Sequence, residues 1–507
     1  MPDIVLATMN ARWLHASFGL RCLKSALGPL AERCVIVETT LEHRPVDVVE
    51  QILALAPRVV GLGVYVWNAE PMLDVVRMLK KVRPDLVVVV GGPEVSHETD
   101  LQEICARADH VVIGEGELAF AALCTNVLEK RATLALAPGK VLQGGKPDLQ
   151  TLPMPYALYD DVDIKDRVVY VEASRGCPFT CSFCLSALDD GVRTFPLDAF
   201  LGELRALYDR GLRRFKFVDR TFNLKIEEAS RILDFFLERT GDGELFAHFE
   251  MIPDRLPPAL RERLAKFPAG TVQLEVGIQT FDDATCARIS RRQDVARLED
   301  NLRFLAAHTG VHVHADLIAG LPGEDLASFG RGFDKLLALG PEEIQIGILK
   351  RLRGAPLARD AALHPDWGLV FDESPPYTIL QTSALSFTDV QRISRFARAF
   401  DLVCNSGRFP ATSRLLLDAA VDEAARDRAT SSLEGSAFVR FLAFSDWLFA
   451  EAGARHGIAL ARLSALVRRW LVEVDSRDAS DVDAALERDI GRDKMPSLPK
   501  RQARHAG

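Results

Sequence analysis

No apolar run in this 507-residue chain reaches the roughly 18 residues that would mark a membrane span, so none is expected. The start, Met1-Pro2-Asp3-Ile4-Val5-Leu6, lacks a basic stretch followed by an apolar core and a small-residue cleavage site. That absence points to a cytoplasmic protein. Positive charge is also short: 62 Lys and Arg against 71 Asp and Glu leave a net charge of −9, which argues against a broad nucleic-acid surface. No internal repeat or low-complexity tract is present. The nine cysteines are odd in number, and Cys22, Cys34, Cys105, Cys124, Cys286 and Cys404 are scattered, mostly through apolar periodic segments. Buried thiols in a reducing compartment account for them.

The other three cysteines are clustered, in Cys177-Pro178-Phe179-Thr180-Cys181-Ser182-Phe183-Cys184, directly after the β-rich run Val168–Glu172. A structural zinc site would want a fourth ligand nearby, and no histidine or further cysteine lies near this loop. A redox pair of Cys181 and Cys184 would leave Cys177 without a role. An iron-sulfur cubane held by three thiolates leaves one iron open to a small molecule, and that vacancy is where chemistry can occur.

The three-thiol loop resembles that of the radical S-adenosylmethionine superfamily. Phe183 stands where that family commonly has an aromatic residue. The resemblance implies that Cys177, Cys181 and Cys184 hold a 4Fe-4S cluster whose open iron chelates S-adenosylmethionine.

At 507 residues and 48% hydrophobic content the chain is long enough for roughly three domains. Residues 1–136 alternate short β-branched runs with helical periodicity, the pattern of a doubly wound, Rossmann-like parallel sheet. Five strands are expected, at Ile4–Ala7, Cys34–Glu38, Val59–Val64, Leu86–Val90 and His110–Ile113. In that architecture ligands bind beyond the carboxyl ends of the strands. The loops there carry Tyr65 and Trp67, the paired Gly91 and Gly92, and Gly114. Glycines let a backbone approach a bulky ligand, and Trp13, Tyr65 and Trp67 would give that edge a flat apolar rim. This segment resembles the cobalamin-binding domain fused ahead of many radical S-adenosylmethionine barrels, which implies that Gly91 and Gly92 flank the nucleotide tail. In one version of that domain Asp-x-His-x-x-Gly follows the first strand and its histidine ligates cobalt from below. Here His15 has Trp13 in place of the aspartate, and Gly19 lies one position late. His15 is therefore either that cobalt ligand or a polar residue at a helix start, and the alternative for the domain is to hold cobalamin with no protein ligand.

Residues 137–166 read as a linker rich in Gly, Pro and Asp. Residues 167–353 repeat strand and helix six times, with strands at Val168–Glu172, Phe215–Val218, Leu245–Met251, Val272–Val276, Val311–Ile318 and Glu343–Ile348. These predict a partial (β/α)6 barrel with its reactive loops at the carboxyl ends of the strands. By the family resemblance Glu275 and Gln279 meet the ribose or methionine part of S-adenosylmethionine, and Gly320 to Gly323 bend around the nucleoside. Asp219 stands where many members carry Gly-Gly-Glu. Capping or barrel-mouth hydrogen bonding is the alternative role for Asp219, Glu275 and Gln279. His312 and His314 alternate on a strand and read as packing or support.

Residues 354–490 predict a helical accessory domain, with apolar stripes over Thr388–Phe400, Thr412–Ala425, Phe438–Ala450 and Leu460–Val474. Residues 491–507 form a polar tail. The combined order resembles the cobalamin-dependent radical S-adenosylmethionine enzymes. What it implies is a methyltransferase acting on an unactivated carbon, through a 5′-deoxyadenosyl radical and methylcobalamin. The partners would be a small-molecule or peptide substrate and an electron donor such as flavodoxin or ferredoxin. A non-methylating radical enzyme and a cobalamin or redox sensor without turnover are the alternatives.

Overall fold

The computed structural model describes residues 1–129, 140–241, 243–418, 435–454 and 456–491. The first domain is a six-stranded parallel sheet of β1 (Ile4–Asn10), β2 (Cys34–Thr40), β3 (Val59–Gly63), β4 (Val87–Gly91), β5 (His110–Ile113) and β6 (Val141–Gln143), in the order β2-β1-β3-β4-β5-β6. Helices cover both faces. Val5, Val60, Leu62, Val88 and Val90 pack on one side, and Ile4, Leu6, Val59, Val89 and Val112 on the other. The sixth strand corrects the expectation of five strands and a linker. Only Leu142 of its three residues is buried, so the strand leaves almost no hydrophobic signal and is held by pairing with β5.

The second domain is a six-stranded parallel sheet in the order β14-β13-β12-β11-β10-β7. It comprises β7 (Val169–Val171), β10 (Arg214–Phe217), β11 (Phe246–Met251), β12 (Val272–Gln279), β13 (His312–Ala319) and β14 (Glu343–Ile348). Between β7 and β10 lies an antiparallel hairpin of β8 (Ser174–Cys177) and β9 (Gly191–Thr194). The period-2 alternation sorts the two faces. Val272, Leu274, Val276 and Ile278 of β12 and Val313, Ala315, Leu317 and Ala319 of β13 are buried in the apolar layer beneath the helices. Gln273, Glu275, Gly277 and Gln279 alternate with the first set, and His314 and Asp316 with the second, leaving a polar lumen. Several outer helices start at aspartates whose side chains accept a first-turn N–H: Asp282 from Thr285 at 2.7 Å, Asp294 from Arg297 at 3.1 Å and Asp325 from Ser328 at 2.7 Å. These caps satisfy donors that a helix start would otherwise orphan.

The C-terminal helices Phe387–Phe400 and Ala437–Ala452 brace the outside of the barrel. Phe396, Phe400 and Phe438 pack around Phe333 of helix Leu326–Ala338, with ring centroids 5.0, 5.3 and 5.9 Å away. A Cβ on Gly330 would come within 2.5 Å of Phe438, so glycine sets how closely this layer seats. A small hairpin, β15 (Val370–Phe371) with β16 (Ile379–Gln381), corrects the expectation that strands end before residue 354. Two and three residues are too short to show a period. Helix Thr412–Leu417 is shorter than the expected Thr412–Ala425; residues 419–425 of that stretch lie outside the described residues, as do 492–507 of the polar tail.

Buried ion pairs join the two α/β domains. Arg21 is 4% exposed and meets Glu38 at 2.9 Å and Asp163 at 2.5 Å. Arg167 meets the same two carboxylates at 3.1 and 2.8 Å. From the barrel side Arg353 reaches Glu94 and Glu98 at 2.9 and 2.7 Å. Removing one partner of such a set strands the others in a dry interface. Arg21→Met is expected to lower unfolding free energy by about 3–5 kcal/mol, read as an earlier chemical-denaturation midpoint. A midpoint equal to the parent's would show that the contact carries no stability.

Candidate functional site

The cysteine loop is tied down at its base. Asp219, 2% exposed, accepts hydrogen bonds from the Ala173 backbone N–H at 3.0 Å and the Ser174 hydroxyl at 2.5 Å. Gly176 sits at φ +99°, and a Cβ there would collide with the Gly191 carbonyl across the hairpin. Only glycine fits that position. Further along, the Ser182 N–H donates to the Ile289 carbonyl at 2.9 Å, and the Leu357 N–H donates to the Ser182 carbonyl at 2.7 Å. The loop is therefore held by its hairpin, by the C-terminal end of helix Asp283–Arg288 and by the segment after β14.

Cys177, Cys181 and Cys184 are all free and line a single cavity of about 210 Å³ at the carboxyl ends of the strands. Among the described residues no three His, Cys, Asp or Glu side chains converge on a single metal ion. Thiols that share a cavity without closing on one point fit a multi-iron cluster better than a lone zinc. Burial pushes the Cys177 and Cys181 thiols up from their ordinary range, so ligation must displace protons. Arg291 Nη1 lies 3.7 Å from Cys181 Sγ and supplies a local cation.

The rest of the lining is charged and incompletely partnered. Arg220 and Glu250 pair at 3.0 Å, and Glu275 receives His248 Nε2 at 3.1 Å. That His248 hydrogen bond holds the Glu275 carboxyl below its ordinary range despite burial. Burial pushes Asp316 up, opposed by the His314 imidazole, whose Nε2 lies 3.2 Å from Asp316 Oδ1. Gln279 stands at φ +70°, at the bulge where β12 slips against β13, and a Cβ on Gly277 would lie 2.5 Å from its Nε2. The Gln279 carbonyl oxygen and the Thr221 hydroxyl are buried with no partner. Orphaned polar atoms on a cavity wall are what a polar ligand would satisfy. Four carboxylates (Glu250, Asp254, Glu275 and Asp316) and three guanidinium groups (Arg220, Arg291 and Arg292) line this cavity. Such mixed charge suits a zwitterion.

A second cavity, of about 480 Å³, opens at the carboxyl edge of the first sheet. Its floor is made by missing side chains: Val59, Val89 and Val112 fill the lower half of one sheet face, Gly61 lies under Leu6 and Phe120, and Gly63, Gly91 and Gly114 leave the upper half bare. At Gly92, φ is +113° and a Cβ would lie 2.5 Å from the Val64 carbonyl oxygen. Tyr65 lines the cavity and stacks on Trp67 with centroids 4.5 Å apart. A cradle that a row of Cβ atoms would fill fits a flat or extended heterocyclic group. Arg220 lines both cavities.

Cys177, Cys181, Cys184, Phe183, Glu275 and Gln279 thus share the first cavity, and Tyr65, Gly91, Gly92 and Gly114 the second. Two residues are placed elsewhere. His15 lies outside the glycine-floored cavity, because the chain after β1 turns toward the barrel, bridging Val168, and His15 Nδ1 meets the Tyr170 hydroxyl at 2.7 Å. Gly320 lies outside the cysteine cavity. A Cβ at its φ of +92° would meet Ile379 Cγ2 at 2.6 Å, so its turn makes room for β16. Residues not foreseen as cavity-lining include Thr221, Glu250 and Arg291. A carboxylate in the otherwise apolar Phe249-Glu250-Met251 was a readable signal, whereas Arg291 comes from a turn with none.

Glu324, closing the Gly320 turn, is 2% exposed and accepts the Thr280 hydroxyl at 2.5 Å. Burial pushes its carboxyl up to about 7, so the folded state holds a proton that the unfolded chain releases near 4.5. Its stabilisation is present below pH 4.5 and is lost as pH rises through about 7. Glu324→Gln, which cannot ionise, is therefore expected to melt progressively higher relative to the parent between pH 5 and 7.5. A melting difference that stays constant across this window would contradict the assignment.

Family models cover much of the chain: a B12 binding domain over residues 4–124, the Radical SAM superfamily over 171–335, and a protein of unknown function (DUF4080) over 365–425. The chain is 27% identical to the cobalamin-dependent radical SAM methyltransferase TokK of Streptomyces tokunonensis, over 59% of this chain and 48% of TokK. It spans about half the length of the curated relatives it matches. In fold it is similar to OxsB, a cobalamin-dependent S-adenosylmethionine radical enzyme solved with aqua-cobalamin and S-adenosylmethionine, at TM-score 0.59 and 13% identity over 97% of this chain and 84% of that one. It is also similar to the methyltransferase TsrM of Kitasatospora setae, at TM-score 0.58 and 16% identity over 75% and 80%.

Proposed function

We propose that this chain, a cobalamin-binding-domain protein of the radical S-adenosylmethionine superfamily, is a methyltransferase acting on an unactivated carbon of a small molecule or peptide. The observation that carries the reading is the adjacency of the two cavities across Arg220. Cys177, Cys181 and Cys184 would hold a 4Fe-4S cluster, and Gly63, Gly91, Gly92 and Tyr65 would cradle cobalamin. When bound, the cluster supplies the electron that cleaves S-adenosylmethionine, and the corrinoid carries the methyl group.

The chain's own residues bind, orient and exclude water. Glu275, kept ionised by His248, and the unpartnered Gln279 and Thr221 offer acceptors for the ammonium and hydroxyls of S-adenosylmethionine. Arg220 and Arg291 offer cations for its carboxylate. The Asp219 clamp and the ion pairs of Arg175 with Glu115 and Glu117, at 2.8 and 2.7 Å, hold the cluster loop against the first domain. A low-potential donor of the flavodoxin or ferredoxin type would deliver electrons.

The test needs no substrate. Reconstituted protein with hydroxocobalamin, S-adenosylmethionine and a chemical reductant should form S-adenosylhomocysteine up to the corrinoid present. Formation of 5′-deoxyadenosine with no S-adenosylhomocysteine would assign the chain to non-methylating radical chemistry.

A further inference from the structure

A third cavity, of about 620 Å³, lies at the opposite end of the barrel from the cysteine loop and shares no lining residue with the cysteine cavity. The amino-terminal ends of β10, β11 and β12 form its walls, and His15 closes it from the first domain. That domain contact gives His15 a place in the structure.

The polar groups facing this space are unequally served. Lys216 is half-buried and makes no ion pair among the described residues. The carboxylate its field reaches, Glu275, is already held by His248 Nε2 at 3.1 Å. His248 itself is 4% exposed, and its Nδ1 is buried without a partner. Arg214 adds positive charge at the rim, and among the described residues the one lining carboxylate, Glu244, is exposed. Burial, then Lys216, Arg12 and Arg167, push the His15 imidazole down, as expected for a positive locale. In a chain of net charge −9 this sign is local. Val168, Phe246 and Ala269 supply apolar wall.

We propose that this cavity binds a small molecule bearing a carboxylate on a short apolar body, the carboxylate meeting Lys216 and His248 Nδ1. An unpaired ammonium and an unsatisfied imidazole nitrogen are both costly in a partly dry cavity, and one carboxylate serves both. With Glu275 at Nε2 and the ligand at Nδ1, both ring nitrogens of His248 have a partner. The volume falls within the roughly 300–1,000 Å³ of small-molecule sites.

The probe is [1-13C]hexanoate titrated into the full chain and followed by its carboxyl resonance, with hexanol as the uncharged analogue. Saturable hexanoate binding is expected. It should be weakened at least about tenfold by Lys216→Met, retained by Lys216→Arg, and unaffected by the triple Cys177, Cys181 and Cys184→Ala change. Absence of saturable binding, equal binding of hexanol, loss in the triple variant or parental affinity in folded Lys216→Met would each overturn the proposal. If Lys216→Met fails to fold, hexanoate against hexanol on the parent protein decides.

Discussion

Replacing Cys177, Cys181 and Cys184 together with alanine is expected to cut reductive cleavage of S-adenosylmethionine on the order of 10³-fold or more while leaving corrinoid affinity within about twofold. The first part follows from the three thiols being the cysteines that line the barrel-mouth cavity. Without them an iron cluster has no anchor and the adjacent acids and guanidinium groups have nothing to organise. The second follows from the separation of roles. None of the three cysteines lines the glycine-floored cavity, whose walls come from the first sheet, its helices and three residues at the domain junction. The fold should tolerate the change, because Cys177 and Cys184 are half-buried and Cys181 loses one sulfur atom from a site already beside a cavity. Anaerobic product analysis for 5′-deoxyadenosine, with iron content and corrinoid binding measured on the same sample, checks it. Cleavage at the parental rate would remove the cluster assignment; corrinoid loss alongside would show that the two cavities are not independent.

The second large effect is the converse. Gly63→Leu should weaken corrinoid binding by about 100-fold or more, leaving the iron content unchanged. Gly63 has ordinary backbone geometry, and a Cβ there would sit 3.4 Å from Thr8, a normal contact, so the rest of a leucine must extend over the bare floor. Gly61 is a worse test, since its Cβ would meet Leu6 at 2.7 Å and Phe120 at 2.9 Å and perturb the core itself. Overpacking costs of about 1–3 kcal/mol are tolerable, so loss of corrinoid should precede loss of fold. Equilibrium dialysis with hydroxocobalamin, alongside a thermal melt, reads both. Unchanged affinity in a folded variant would show that the cofactor does not use this cavity.

What could be read in the chain divides along physical lines. The barrel strands are runs of β-branched and aromatic residues beside helical segments, and all six expected runs became strands of one parallel sheet. The cysteine loop was readable because three thiols at close spacing have few structural uses. Strand β6 was not, because a three-residue edge strand with one buried side chain depends on its neighbour for definition. His15 and Gly320 show a different limit. Each lies on a loop after a strand, where the fold rule points to ligands, yet one was drawn to Tyr170 and the other to Ile379 by contacts about 155 and 59 positions away. Arg291 was invisible for the same reason in reverse: a long-range fold, not a local pattern, brings it beside Cys181.

The central claim is that one chain holds two metallocofactors in adjacent cavities. Its most direct test is the metal content and anaerobic absorption spectrum of protein reconstituted with iron, sulfide and hydroxocobalamin and then desalted. The account predicts about four irons and one cobalt per chain, with cluster and corrinoid bands in one spectrum. Iron without cobalt, or cobalt without iron, would contradict it.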